Sequence, residues 1–182
     1  MKIRLRGPLP KPDIAEGCLD PGALVRQGVE ESHLELSQSL KNAMAEADEC
    51  LNKKFHANED VNQLVKARAW VADQLIMYAW NMLIPSGQNV SLVSFGGFGR
   101  GELNPHSDVD LLVLLADQAP GEALRKGIED FVTLLWDAGF YMCHSVRTVE
   151  TCVSEAKKDI STATSLMESR LICGQVETQK KM

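Results

Sequence analysis

Val93-Ser94-Phe95-Gly96-Gly97-Phe98-Gly99-Arg100-Gly101-Glu102-Leu103-Asn104-Pro105-His106-Ser107-Asp108-Val109-Asp110-Leu111-Leu112-Val113-Leu114-Leu115 is the stretch that decides the fold of this chain. It divides into an apolar strand, a glycine-rich turn, a short helical segment, a polar loop and a second apolar strand. The second strand opens with Asp108 and Asp110, at positions i and i+2. Side chains alternate faces along a strand, so the two carboxylates project to the same side, a few ångströms apart. Carboxylates that close raise each other's pKa unless a cation sits between them. Upstream, the glycines let the backbone approach a bulky group, and their N–H groups can point at phosphate oxygens.

Each half has an ordinary explanation when taken alone. Tight turns use glycine for conformational reasons, and strand ends carry solvated or capping aspartates. Joined in one strand–turn–strand unit, with the apolar run Leu111–Leu115 directly behind the carboxylates, they specify a site at the mouth of a core strand. A divalent metal at the aspartates and a triphosphate at the glycines are what nucleotidyl transfer requires. Asp108 and Asp110 are therefore the candidate catalytic residues and metal ligands. Mg²⁺ is the expected ion, with Mn²⁺ as the alternative, because magnesium takes one or two carboxylates together with phosphate oxygens and water. Gly96 and Gly97 are candidates for the approach to the β- and γ-phosphates. Arg100 lies one short helical step on, where a guanidinium can hold phosphate oxygens bidentately; a salt bridge to Glu102 or plain solvent exposure is its ordinary alternative. Ser107 is a candidate phosphate ligand or a turn cap. His106 reads as a turn residue after Pro105, and His144 as a hydrogen-bonded strand residue. Trp70, Trp80 and Trp136 stand at helical core spacing and read as packing.

The run from Gly96 to Leu114 resembles the signature of the DNA polymerase β-like nucleotidyltransferase superfamily. More narrowly, the chain is similar to the N-terminal domain of the bacterial PII uridylyltransferase/uridylyl-removing enzymes. Arg68 to Trp80, Gly139 to Thr148 and Thr162 to Gly174 support that narrower likeness, which covers roughly residues 60–174. The resemblance implies a minimal nucleotidyltransferase fold with helices on one face of the sheet. It implies transfer of UMP from UTP, or of another NTP's nucleotide, to a PII-type nitrogen regulatory protein, with release of pyrophosphate. Protein adenylyl transfer, nucleotidyl transfer to a small molecule and a non-catalytic nucleotide-binding module are the alternatives. The superfamily commonly adds a third carboxylate from a later strand. Here that strand reads Met142-Cys143-His144-Ser145-Val146-Arg147, with no acid, so Glu168, Asp159 or no residue fills the role. The resembled enzymes also carry a hydrolase domain marked by a His-Asp dipeptide. None of His33, His56, His106 and His144 is followed by aspartate. The chain is thus expected to be an N-terminal portion of a longer protein or a short stand-alone relative, which transfers UMP but neither removes it nor responds to glutamine.

With 182 residues the chain is long enough for one compact domain with a real core. A net charge of −6 argues against nucleic acid or an anionic membrane as the main partner, so a triphosphate must be held by local groups and metal. The five cysteines show no Cys-x-x-Cys spacing, which predicts neither a disulfide framework nor a zinc site and fits a reducing cytoplasm. No apolar stretch approaches the length of a membrane span.

Along the chain, residues 1–22 hold Pro8, Pro10, Pro12 and Pro21 and read as an extended arm that packs only partly. Helices are predicted over Glu30–Phe55, Val61–Ile84 and from Ala119-Pro120-Gly121 to about Ala138. A further helix starts at Thr148, and the last runs from Ser161 or Thr162 through Leu171. Strands are predicted at Val90–Phe95, Val109–Leu115 and Phe140–Arg147, the first two as neighbours. The fold class is α/β (α+β), a small mixed sheet with helices packed on it. Residues 1–59 form an N-terminal arm and helical extension, and residues 60–182 form the nucleotidyltransferase domain.

Overall fold

The computed structural model describes residues 6–22, 32–116 and 120–174. Helix α1, His33–His56, begins at a capping box: Ser32 accepts from the Glu35 amide, and the Glu35 carboxylate takes the Ser32 amide in return. The Glu30–Glu31 start predicted for this helix lies outside the described residues. Helix α2, Val61–Leu83, starts at Asp60, whose carboxylate accepts from the Asn62 amide at 2.8 Å. Strand β1, Val90–Ser94, is followed by the short helix α3, Gly96–Arg100, which Gly101 ends in a left-handed conformation at φ 80°. Strand β2 is Val109–Leu115 and helix α4 is Glu122–Asp137; Ala119, the predicted start of α4, lies outside the described residues. Strand β3, Met142–Thr148, ends on the residue that caps helix α5, Val149–Ala156, by accepting from the Thr151 amide. Helix α6, Ile160–Met167, and strand β4, Arg170–Gly174, complete the described elements.

Strand β4 corrects the sequence prediction, which carried the last helix through Leu171. The helix stops at Met167, and the next residues pair antiparallel with β1, Leu171 opposite Val93 and Arg170 opposite Ser94. A short apolar run such as Leu171-Ile172-Cys173 has no period of its own, and the open edge of β1 settles its conformation.

The sheet order is β3-β2-β1-β4, with β1 antiparallel to β2 and β4, and β2 parallel to β3 across α4. Leu111, Val113 and Leu115 of β2 face a large core shared with α1, α2 and α4. Leu112 and Leu114 point the opposite way, onto Val149 and Cys152 of α5 and Leu166 of α6. The expected one-sided packing therefore holds for the long helices, while α5 and α6 cover part of the second face. An uninterrupted apolar run in β2 is what two covered faces demand.

The N-terminal arm packs more closely than its prolines predict. Arg6 forms an isolated parallel bridge to Arg170, and the Leu171 amide donates to the Arg6 carbonyl at 2.9 Å. Ala15 is fully buried, and Cys18 is joined to Cys50 of α1 by a disulfide with a Cα–Cα distance of 5.3 Å. This corrects the expectation of no disulfide: the partners are 32 residues apart and meet only through packing of the arm on α1, which Cys spacing does not encode. Trp70 and Trp80 are buried as predicted. Trp136 is not: it is 53% exposed and stands edge-on to the His144 ring at 5.4 Å. It lies to the side of the buried strip of α4, to which Leu134 and Leu135 of the same turn belong.

Candidate functional site

The predicted carboxylates come to the open end of β2. Asp110 is its second residue, on the same face as Leu112 and Leu114, and Asp108 is exposed one residue before the strand. Burial raises the Asp110 pKa from its ordinary value, and the negative charge of Asp108 raises it further. That is the repulsion foreseen from the spacing.

The glycine turn lies directly against Asp110. Gly96 has φ 56°, in the left-handed region, and a Cβ placed on it would stand 2.9 Å from Asp110 Oδ2. Only glycine brings backbone this close to the carboxylate in this conformation. Gly97 sits one residue on; its carbonyl accepts from the Glu102 amide at 2.9 Å, closing the loop after α3. Gly99 has a packing role that the sequence did not single out, since a Cβ there would come within 2.5 Å of the Glu168 carbonyl oxygen.

The other candidates are placed differently. Arg100 is held by Glu102 through Nε at 3.1 Å and by Glu168 through Nη1 at 2.9 Å. The hydrogen bond to Glu102, followed by the charge of Glu168, raises its pKa. Its ordinary alternative, the pairing with Glu102, is thus present, and Glu168 is turned to Arg100. Asp159 caps α6, accepting from the Ser161 and Thr162 amides and the Thr162 hydroxyl. Among the described residues, no three His, Cys, Asp or Glu side chains converge as a metal-binding group. Ser107 is exposed in the loop, its amide donating to Asn104 O at 3.1 Å. It lines a separate cavity on the opposite side of the sheet with His106, Asp48 and Arg68. His106 takes φ 64° in that turn, a conformation His tolerates better than most residues.

Asp110 and Gly96 open into a cavity of about 280 Å³ between the sheet and helices α5 and α6. Its far wall contains residues that a search for acids overlooked: Ser145 and Arg147 on β3, and Ser161, Thr162 and Ser165 on α6. Alternation along β3 was the available signal, because Cys143, Ser145 and Arg147 share one face. Their register partners Asp110, Leu112 and Leu114 share the same face of β2. Arg147 bonds Glu155 of α5 through Nη1.

One buried ion pair holds these parts together. Arg170 of β4, 1% exposed, reaches Asp73 of α2 through Nη1 at 2.5 Å and Nη2 at 2.9 Å. Nη2 also donates to the Phe98 carbonyl of α3 at 3.0 Å, and the guanidinium lies 5.4 Å from the centre of the Phe98 ring. The glycine turn is thereby tied to a long helix and an edge strand.

The donor set fits a small divalent cation. Two carboxylates, one half-buried with a raised pKa, stand beside backbone that approaches without a side chain, which leaves room for phosphate oxygens and water as the other ligands.

Residues 45–157 match the family described as "Putative nucleotidyltransferase DUF294". The chain is 46% identical over 145 residues to the bifunctional uridylyltransferase/uridylyl-removing enzyme of Pseudomonas putida strain GB-1, covering 79% of this chain and 16% of that protein. The proteins of the same name from Pseudomonas entomophila strain L48 and Pseudomonas aeruginosa strain LESB58 are 44% and 42% identical over 147 and 145 residues, with the same coverage. The chain thus spans about one sixth of the length of these relatives. A glycine turn against a carboxylate pair, on a small mixed sheet, together with this likeness, assigns the chain to the DUF294 family, as a nucleotidyltransferase-type domain homologous to uridylyltransferase/uridylyl-removing enzymes.

Proposed function

We propose that the chain transfers UMP from UTP to a PII-type nitrogen regulatory protein and releases pyrophosphate. The observation that carries this reading is the close approach of Gly96 to Asp110 at the mouth of the cavity, with the charge of Asp108 acting on Asp110. Uridine and the PII-type acceptor are supported by the likeness to uridylyltransferases. A cytoplasmic setting suits the reading because the nucleotide is there, while the Cys18–Cys50 disulfide is a feature that a reducing compartment disfavours.

Asp108 and Asp110 would hold Mg²⁺ or Mn²⁺, which supplies Lewis-acid activation of the α-phosphate and neutralises charge on the leaving group. The protein's own part is positioning. Backbone at Gly96 and Gly97 brings the triphosphate up to the carboxylates with no side chain in the way. Gly99, buried against the Glu168 carbonyl, and Phe98, held by Arg170, keep that turn from moving. The acceptor hydroxyl oxygen forms the new bond to the α-phosphorus as the α–β phosphoanhydride bond breaks. Pyrophosphate leaves with the electron pair, and the hydroxyl proton passes to water.

The deciding experiment incubates the purified chain with Mg²⁺, each of the four NTPs and a PII-type protein, and weighs the acceptor by mass spectrometry. A uridylyl adduct formed only with UTP is expected. An adenylyl adduct, or none with any NTP, would overturn the assignment.

A further inference from the structure

Beyond the carboxylates the cavity changes character. Ser161, Thr162 and Ser165 of α6, at positions i, i+1 and i+4, turn toward it, and Ser145 faces it from β3. Ser145 pairs with Leu112, one step deeper than the Cys143–Asp110 pair, which puts it about 7 Å along the strand from the metal end. The hydroxyls of Ser145, Ser161 and Ser165 make no hydrogen bond to any other described residue. The Thr162 hydroxyl donates to Asp159 and keeps its lone pairs free to accept.

The two features in this wall that would draw phosphate are both already engaged by carboxylates. Asp159 takes the first amides of α6, and Glu155 takes Arg147. Apart from the paired Arg147 and from Asp110 at the mouth, what faces the cavity is a set of hydroxyls beside the apolar surface of Leu112, Cys152 and Leu166. The hydroxyls and the apolar surface suit an uncharged polar group with one flat apolar face.

We propose that Ser145, Ser161, Thr162 and Ser165 form the nucleoside subsite, where ribose and base lie while the phosphates lie at Gly96 and the carboxylates. The proposal rests on the nucleotidyltransferase reading above and adds which residues choose the nucleoside. It orients the bound nucleotide with its phosphates at the cavity mouth and its base toward α5 and α6.

The test is titration calorimetry of the 182-residue chain with Mg²⁺, using UTP and inorganic tripolyphosphate as separate probes. Ser161→Ala/Ser165→Ala removes two exposed or half-exposed hydroxyls, and Ser145→Ala on the opposite wall is the independent variant. UTP affinity is expected to fall about tenfold in the double variant, the loss of two hydrogen bonds of ordinary strength. Tripolyphosphate affinity should stay within about twofold, and melting temperature should be unchanged, because the phosphate end is untouched. Undiminished UTP affinity in both variants, or equal losses for UTP and tripolyphosphate, would overturn the proposal. If the wild-type chain bound both probes equally well, the nucleoside would contribute nothing, and the subsite would fall while the transferase reading stood. If it bound neither, both would fall.

Discussion

Replacing Asp110 with asparagine removes one negative charge and almost no volume, so it separates chemistry from folding. On the proposed function, Asp108→Asn and Asp110→Asn should each lower nucleotidyl transfer on the order of a thousandfold, since a metal held there would contribute several kcal/mol of transition-state stabilisation. Pyrophosphate release at saturating Mg²⁺ measures this, and near-normal turnover in either variant would remove these residues from the mechanism. Asp110 also gives a pH signature. Its folded pKa lies above its unfolded value because burial and Asp108 disfavour the ionised form, so ionised Asp110 costs stability at neutral pH. The metal-free Asp110→Asn variant should therefore melt at or above the wild-type temperature. Mn²⁺ binding, followed by electron paramagnetic resonance, should weaken as pH falls toward the raised pKa, and the midpoint should move down in Asp108→Asn. A midpoint unmoved by Asp108→Asn would show that the two carboxylates do not interact. At Gly96 the constraint is steric and conformational: Gly96→Ala puts a methyl 2.9 Å from Asp110 Oδ2 at φ 56°. A non-glycine residue held there costs about 1–3 kcal/mol. Both a lower melting temperature and weaker triphosphate binding are expected, and intact binding would make the turn purely structural.

At the scale of elements, the site depends on where α3 is held. The Asp73–Arg170 pair joins α2, α3 and β4, and removing one partner leaves the other charge buried. Arg170→Met should cost about 3–5 kcal/mol in a denaturant melt, whereas Asp73→Leu/Arg170→Met together should recover a large part of it. A single variant within experimental error of wild type would show that the pair does not anchor the turn. Most of this level was legible in the sequence. The strand–turn–strand unit, the pairing of β1 with β2, helix α2 and the cap at Thr148 all follow from apolar period and turn chemistry. Strand β4 was not, because Leu171-Ile172-Cys173 takes its shape from the edge of β1. Nor was Trp136, whose spacing approaches that of the core residues but whose side chain falls outside the strip that Phe131, Leu134 and Leu135 bury. The candidate site was half legible: spacing singles out the carboxylates and Gly96 as candidates, while Arg147 needs the register of β2 against β3, and the α6 hydroxyls need the packing of that helix, to share a cavity with Asp110.

For the whole molecule, the arm and the disulfide decide how far the N-terminal residues share in stability. The Cys18–Cys50 link spans 32 residues, and on the chain-entropy account closing such a loop stabilises by about 3–4 kcal/mol. Cys18→Ser/Cys50→Ser, or reduction of the wild-type chain, should lower the melting midpoint by that order while leaving the carboxylates and Gly96 in place. Equal midpoints with and without reductant would mean that the link contributes nothing to the folded state.

The position of β4 in the sheet has a consequence for how the site is born. Strand β4 lies beside β1, yet some 75 residues separate Ser94 from Arg170 in the chain. Pairings so distant in sequence form late, because a long loop must close before any contact rewards it. On a ribosome, the glycine turn and both aspartates emerge well before the guanidinium that steadies Phe98. A nascent chain halted between residues 110 and 170 therefore carries both candidate metal ligands, Asp108 and Asp110, without the strand that holds the turn in place. The proposed transfer is expected only once residue 170 and the strand around it have paired with β1.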